Sequence, residues 1–213
     1  PASFEPALDY VLTKMPRFPF DKFTEADHSL GTQMKATGEV MSVGRTLEES
    51  LLKSVRSLET GAWHLYLPKF DSESTPELLH TIETGSDERL FAIAELLRRE
   101  VPIREIAART AIDLFFLQKI QRIIEEERRL HSHPGDRDAL YEAKRMGFSD
   151  REIARQWGSS EIEIFETRKR EKIFPVYKMI DTCASEFSSY IPYFYSTYEE
   201  ENESIVSDGK KVV

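Results

Sequence analysis

One cysteine, Cys183, is all the chain contains, so it carries neither a disulfide framework nor a cysteine-based metal site. With no His nearby in sequence, Cys183 reads as buried packing rather than a nucleophile, and a reducing cytoplasm is the expected setting. Glycine is scarce, at 9 of 213 residues against a usual share of about 7 %. None of these glycines falls into a Gly-x-Gly-x-x-Gly or Gly-x-x-x-x-Gly-Lys-Ser/Thr phosphate loop. No apolar run approaches the roughly 18 residues of a membrane span, and no signal peptide is visible. Positive charge is also short: the net charge is −9 and the pI about 5.2, which opposes non-specific nucleic-acid binding.

What is present favours helix. Hydrophobic residues make up 40 % and charged residues 31 %, with both signs mixed, as on soluble amphipathic helices. Residues 8–15 and 33–43 read as strands, separated by the proline-rich Pro16-Arg17-Phe18-Pro19-Phe20. Two strands alone make no stable sheet, so they read as the edge of a larger domain. At Thr46 the period changes. Thr46 with Glu49 is a capping-box pattern, and Leu47, Leu51, Leu52, Val55 and Leu58 recur at helical spacing, predicting a helix over 47–60. Residues 62–74 are expected to be irregular, and Thr75-Pro76 opens a short helix. Further helices are predicted over 87–99, 102–109, 113–131, 136–146, 150–157, 161–172 and 175–187. Ser149 with Glu152 and Ser160 with Glu163 are further capping boxes, and Gly147 and Gly158 sit at predicted helix ends.

The chain echoes itself. Arg104-Glu105-Ile106-Ala107 recurs as Arg151-Glu152-Ile153-Ala154, an offset of 47 residues. The same offset aligns Val101 with Phe148, Ala92 with Ala139, Ile93 with Leu140 and Leu117 with Ile164. This predicts a duplicated helical subdomain, the alternative being a chance likeness of amphipathic helices.

Residues 148–172 resemble a DNA-binding helix-turn-helix. The first residues of its second helix, however, include Glu161, Glu163 and Glu166, which would face a phosphate-lined groove. Residues 136–172 hold nine acidic and nine basic side chains, and Arg168-Lys169-Arg170 falls late in its helix, where cations suit the helix dipole. Helix–turn–helix packing is the simpler account. His131 and His133 read as a solvated helix end, and His28, His64 and His80 stand alone in the sequence. Glu125-Glu126-Glu127 with Arg128-Arg129 reads as a charged solvent face. The aromatic run Tyr190, Tyr193, Phe194, Tyr195 and Tyr198 suits anchoring of a connector to neighbouring domains. No matched acid–base pair, nucleophile or metal set stands out, so no catalytic, cofactor-binding or metal-binding residue is assigned. Leu78, Leu79, Phe115 and Phe116 are candidates for an association surface, although core packing is the expected role of each.

A series of segments, in order along nearly the whole chain, carries a specific resemblance. They are Ser3-Phe4-Glu5-Pro6, Asp9-Tyr10-Val11, Thr13-Lys14-Met15-Pro16-Arg17-Phe18, and Met34 through Thr46 (Met-Lys-Ala-Thr-Gly-Glu-Val-Met-Ser-Val-Gly-Arg-Thr). Then follow Gly147-Phe148-Ser149-Asp150, Pro175-Val176-Tyr177-Lys178, Asp181-Thr182-Cys183-Ala184, Glu186-Phe187 and Tyr195-Ser196-Thr197-Tyr198-Glu199-Glu200. Together they resemble the large subunit of carbamoyl-phosphate synthetase. The family usually has Ser where Ala36 stands, and often Asp-Arg-Trp-Phe-Leu where this chain has Asp113-Leu114-Phe115-Phe116-Leu117. Contacts made through that Arg or Trp are therefore not transferred.

The resemblance implies a mainly α fold: a multihelical connection or oligomerisation domain of two similar helical subdomains, with a small β remnant of an ATP-grasp domain at its N-terminus. Residues 1–45 would end the first, carboxyphosphate-forming half. Residues 46–187 would be the connection domain, and 188–213 the connector to the second half. The abrupt start at Pro1, and the turn Ser207-Asp208-Gly209 before Lys210-Lys211-Val212-Val213, are read as cut ends, with a frayed tail as the alternative. The implied enzyme uses bicarbonate, glutamine-derived ammonia and two ATP, with magnesium and potassium. Its expected partners are the neighbouring ATP-grasp halves, a glutaminase small subunit and further copies of itself. Neither a membrane nor a nucleic acid is expected as a partner. In the family, the ATP, metal and substrate residues lie upstream and downstream of this window and none maps onto a position within it, so the window is expected to be inactive alone.

Overall fold

A β-hairpin leads into the helices of the computed structural model, which describes residues 8–181 and 193–204. Strands β1 (Val11–Arg17) and β2 (Gly38–Gly44) pair antiparallel, with Val11 opposite Gly44 and Arg17 opposite Gly38. Both strands start later than the sequence pattern suggests. Pro16 lies inside β1, a place that a sheet edge tolerates because the missing N–H need not find a partner there. The hairpin rests on α1 (Leu47–Ser57), where Ser50 Oγ donates to the Ser42 carbonyl at 2.8 Å and pairs with Thr13 Oγ1 at 2.8 Å. Thr46 caps α1 as expected, its hydroxyl accepting from Glu49 N–H at 3.2 Å. The other half of the predicted box shifts by one residue, because the Glu49 carboxylate accepts from Arg45 N–H at 2.7 Å.

Residues 62–74 are irregular apart from a 3-10 turn at Pro68–Asp71, but they are not loose: His64, Leu65 and Phe70 are buried. Helices α2 (Thr75–Thr84), α3 (Arg89–Arg98), α4 (Ile103–Thr110), α5 (Leu114–Ser132), α6 (Arg137–Arg145), α7 (Asp150–Trp157) and α8 (Glu161–Arg170) follow. Ser160 and Glu163 form a full capping box on α8. At α7, Ser149 caps the Glu152 amide, but the Glu152 side chain turns inward instead of completing the box.

The predicted helix over 175–187 is corrected. Val176–Met179 is strand β3, paired antiparallel with β4 (Phe194–Thr197), Val176 facing Thr197. Lys172, at φ 56, ends the helical stretch, and Pro175 disfavours helix for the residue before it. The partner strand, distant in sequence, then settles the conformation. Residues 182–187, and Cys183 with them, lie outside the described residues, as do Tyr190 and both chain ends.

The 47-residue echo reappears in backbone detail. Helices α4 and α7 begin and end at equivalent positions, and so do the starts of α5 and α8. The turn after α3 has Val101 N–H bonded to Leu96 O at 3.0 Å; its counterpart after α6 has Phe148 N–H bonded to Ala143 O at 2.9 Å. Glu100 (φ 62) matches Gly147 (φ 93), and Ala111 (φ 55) matches Gly158 (φ 64). Ile106 and Ile153, Ile93 and Leu140, and Leu117 and Ile164 are buried in pairs. Both units feed one continuous core, which α5 joins by touching α3 and α4 at one side and α6 and α7 at the other.

Candidate functional site

The loop before α2 and the far end of α5 build a charged centre inside the protein. His64 Nε2 lies 2.7 Å from Glu127 Oε1, and both side chains are buried. Arg98 of α3 forks onto the same carboxylate, Nε to Oε2 at 2.7 Å and Nη2 to Oε1 at 2.6 Å, and Nη2 also donates to the Leu65 carbonyl. Glu152 of α7 is fully buried beside them and takes its own fork from Arg155, at 3.0 and 2.7 Å, with Gln156 Nε2 at 2.9 Å. The Tyr66 ring meets both arginines, and Trp63 lies under Arg151. Residues 63–66 thus stitch α7, in the second unit, to α3 and α5 in the first.

Electrostatics explain why this interior is tolerated. Burial works to raise the Glu127 carboxyl, but hydrogen bonds from Arg98 and His64 outweigh it and hold the group down at about 2. A second centre follows the same logic. Arg168 forks onto Asp150 at 2.9 and 2.6 Å, while Lys144 reaches Asp150 at 2.8 Å and the Phe148 carbonyl at 2.7 Å. Burial pushes Lys144 down to about 8 against the pull of Asp150. Asp150 itself sits below the usual carboxylate range, because its two cations outweigh its burial.

These contacts revise several readings made from the sequence. His64 does not stand alone, and His28 stacks on Phe20 at 4.3 Å with Asp87 at 3.3 Å. Glu126 and Glu127 are buried rather than on a solvent face, because α5 turns that side toward α3 and α7. Arg168 is an interior residue, so the apparent basic cluster loses its first member. Leu78 is core, whereas Phe115 and Phe116 are about half exposed and meet edge to face at 5.3 Å, contrary to a core role. Of the aromatic run, Tyr195 is buried and Tyr198 packs over Lys144 and Arg168, whereas Tyr193 and Phe194 are exposed. His80, His131 and His133 are exposed. Sequence offered no signal for the charged centre: Glu105, which occupies the position equivalent to Glu152, lies toward solvent.

Among the described residues, His64, Glu127 and Glu152 are the set whose potential ligand atoms, all within 4.8 Å of one another, could converge on a metal ion. Arg98 and Arg155 already engage both carboxylates, so a cation would have to displace a guanidinium from each. Elsewhere, an apolar groove of about 670 Å³ opens between β1, α1, α3 and α5, with Met15, Leu51, Phe91 and Phe116 on its walls. Three exposed carboxylates, Glu161, Glu163 and Glu166, lead α8, so the α7–α8 pair offers DNA a negative face. No helix among the described residues is long and apolar enough to cross a membrane.

Such a protein is a helical assembly domain, with its few buried charges paired in the interior and several large apolar side chains exposed. The family model described as carbamoyl-phosphate synthetase large chain, oligomerisation domain, matches residues 39–172, more than half of the chain, and the chain belongs to that family.

Proposed function

We propose that this domain holds two synthetase halves in register and supplies a surface for subunit association in a glutamine-dependent carbamoyl-phosphate synthetase, an ATP-consuming ligase. The β1–β2 hairpin is then the last part of the first ATP-grasp half, residues 46–187 are the connection domain, and 188–213 lead to the second half. ATP, magnesium and potassium act in those halves, ammonia comes from a glutaminase subunit, and the enzyme works in the cytoplasm. The observation that carries this reading is the state of the buried acids. Glu48, Glu49, Glu95, Glu126, Glu127 and Glu152 each lie within ion-pair distance of a Lys, Arg or His. At Glu49, Glu95, Glu127 and Glu152 hydrogen bonds hold the carboxylate as well, so these four are structural ties rather than bases free to take a proton, whereas burial pushes the Glu126 carboxyl up against the pull of Arg129.

The test has two arms. Light scattering over a range of concentrations should show the chain associating with itself, and the purified chain should show no bicarbonate-dependent ATP hydrolysis. A strict monomer at all concentrations would remove the association role, and bicarbonate-dependent turnover would remove the spacer role.

A further inference from the structure

The chain enters the helical body through the end of β2 and leaves it through β4, and one ion pair on the first turns of α1 touches both. Glu49 is buried, and its Oε2 accepts from Arg45 N–H on the incoming side at 2.7 Å and from Thr197 Oγ1 on the outgoing side at 3.1 Å. Lys53, one turn later, binds Glu49 Oε1 at 2.8 Å. Its ammonium donates to the Val43 carbonyl of β2 at 2.9 Å and to the Ser196 carbonyl of β4 at 2.6 Å. Each member of the pair therefore makes one bond to the incoming strand and one to the outgoing strand. The surroundings leave the pair no slack. A Cβ on Gly44 would stand 2.8 Å from Glu49 Oε2, and one on Gly147 would stand 2.8 Å from Glu49 Cα.

We propose that Glu49 and Lys53 form a latch that fixes the incoming and outgoing segments relative to each other, so that displacing one displaces the other. They are positioning residues, acting through backbone groups of both strands. The inference extends the spacer reading, since the latched segments are those that would lead to the two synthetase halves. The bonds themselves lie within this chain and can be tested whether or not it assembles. The charges are complementary: the carboxylate satisfies a donor on each strand, and the ammonium satisfies an acceptor on each. The first two turns of α1 are a rigid mount for the pair, because the helix is packed through Leu52 and Val55 into the core.

Hydrogen exchange read by mass spectrometry on the full 213-residue chain tests the latch. Glu49→Gln and Lys53→Met are compared with the parent and with a surface control, exposed Arg109→Gln, whose partners are the exposed Glu83 and the half-buried Glu105. In each latch variant, exchange should rise about tenfold or more in both 38–45 and 193–199, while α5 and α7 keep their protection. The control should match the parent. Lys53 is the more exposed partner, so Lys53→Met reads the latch even where Glu49→Gln does not fold. A rise in only one segment, in neither, or throughout α5 and α7 in every latch variant would overturn the proposal.

Discussion

Replacing Arg98 by Met removes the fork from Glu127 and leaves a buried carboxylate with His64 alone. Arg98 makes two bonds to Glu127, at 2.6 and 2.7 Å, and a third to the Leu65 carbonyl at 2.6 Å. Breaking a buried pair from one side costs about 3–5 kcal/mol, because the remaining charge is stranded. A domain of this size has only about 5–15 kcal/mol in total, so the variant should unfold at clearly lower urea. Acid gives an independent reading. The folded Glu127 carboxyl is depressed to about 2, well below the ordinary glutamate range, so its contribution is full above the unfolded value and is lost as pH falls through the folded one. That shift corresponds to about 3 kcal/mol. The gap between urea melts of parent and variant should therefore narrow steadily as the pH falls from about 4.5 toward 2. Protonated Glu127 no longer needs the guanidinium. The double variant Arg98→Met with Glu127→Leu should regain much of the loss at pH 7, since no unpaired charge remains. A pH 7 loss below about 1 kcal/mol, or a gap that stays constant into acid, would refute a tie dominated by this pair.

Gly147→Ala should cost at least about 3 kcal/mol by chemical denaturation, because positive φ and the approach of Glu49 Cα at 2.8 Å both oppose a Cβ. Glu100→Gly, at the equivalent but exposed position, should instead stabilise by about 0.5–1 kcal/mol, since it only relieves a left-handed conformation. Phe116→Ser should leave the urea midpoint nearly unchanged, within about 1 kcal/mol, because the ring is half exposed; a larger loss would make it core. Fluorescence anisotropy should detect no salt-dependent binding to duplex DNA even at low ionic strength, given the carboxylates leading α8.

Local pattern carried most of the helices and failed where a partner comes from far along the chain. Caps at Thr46, Ser149 and Ser160 and the turns at Gly147 and Gly158 are short-range devices, and each sits where its residues suggest. The duplication was legible because burial repeats residue by residue: Ile106 and Ile153 need the same hydrophobic type to fill the same niche. Val176–Met179 was read as helix because its sheet partner lies at 194–197. The charged centre was illegible for the same reason, since His64 and Glu127 are 63 residues apart and neither side chain signals the other. Glu152 shows the limit most clearly. Its spacing from Ser149 predicts a capping box, yet burial against Arg155 and Gln156 claims the carboxylate.

The two units became unequal through the length of one helix. Helix α5 runs 19 residues, whereas its counterpart α8 runs 10. The added turns, from Ile124 to Ser132, are what α6 and α7 pack against: Trp157 Nε1 donates to the Leu130 carbonyl at 2.9 Å, and Glu127 meets the His64 loop. The repeated positions then diverge according to what they face. Glu105 on α4 lies toward solvent with Arg109, whereas its equivalent Glu152 on α7 is fully buried. Glu100 bears a side chain at a left-handed turn open to water, whereas Gly147 bears none because α1 crosses it. Shortening α5 by a turn at its C-terminal end should therefore release the second unit without unfolding the first. Deleting residues 129–132 removes the Leu130 carbonyl that Trp157 uses and rotates everything that follows by about four residues of helix. Hydrogen exchange should then show α6, α7 and α8 deprotected while α2, α3 and α4 retain theirs. Equal loss in both units would mean that the shared core, rather than the length of α5, decides their cooperativity.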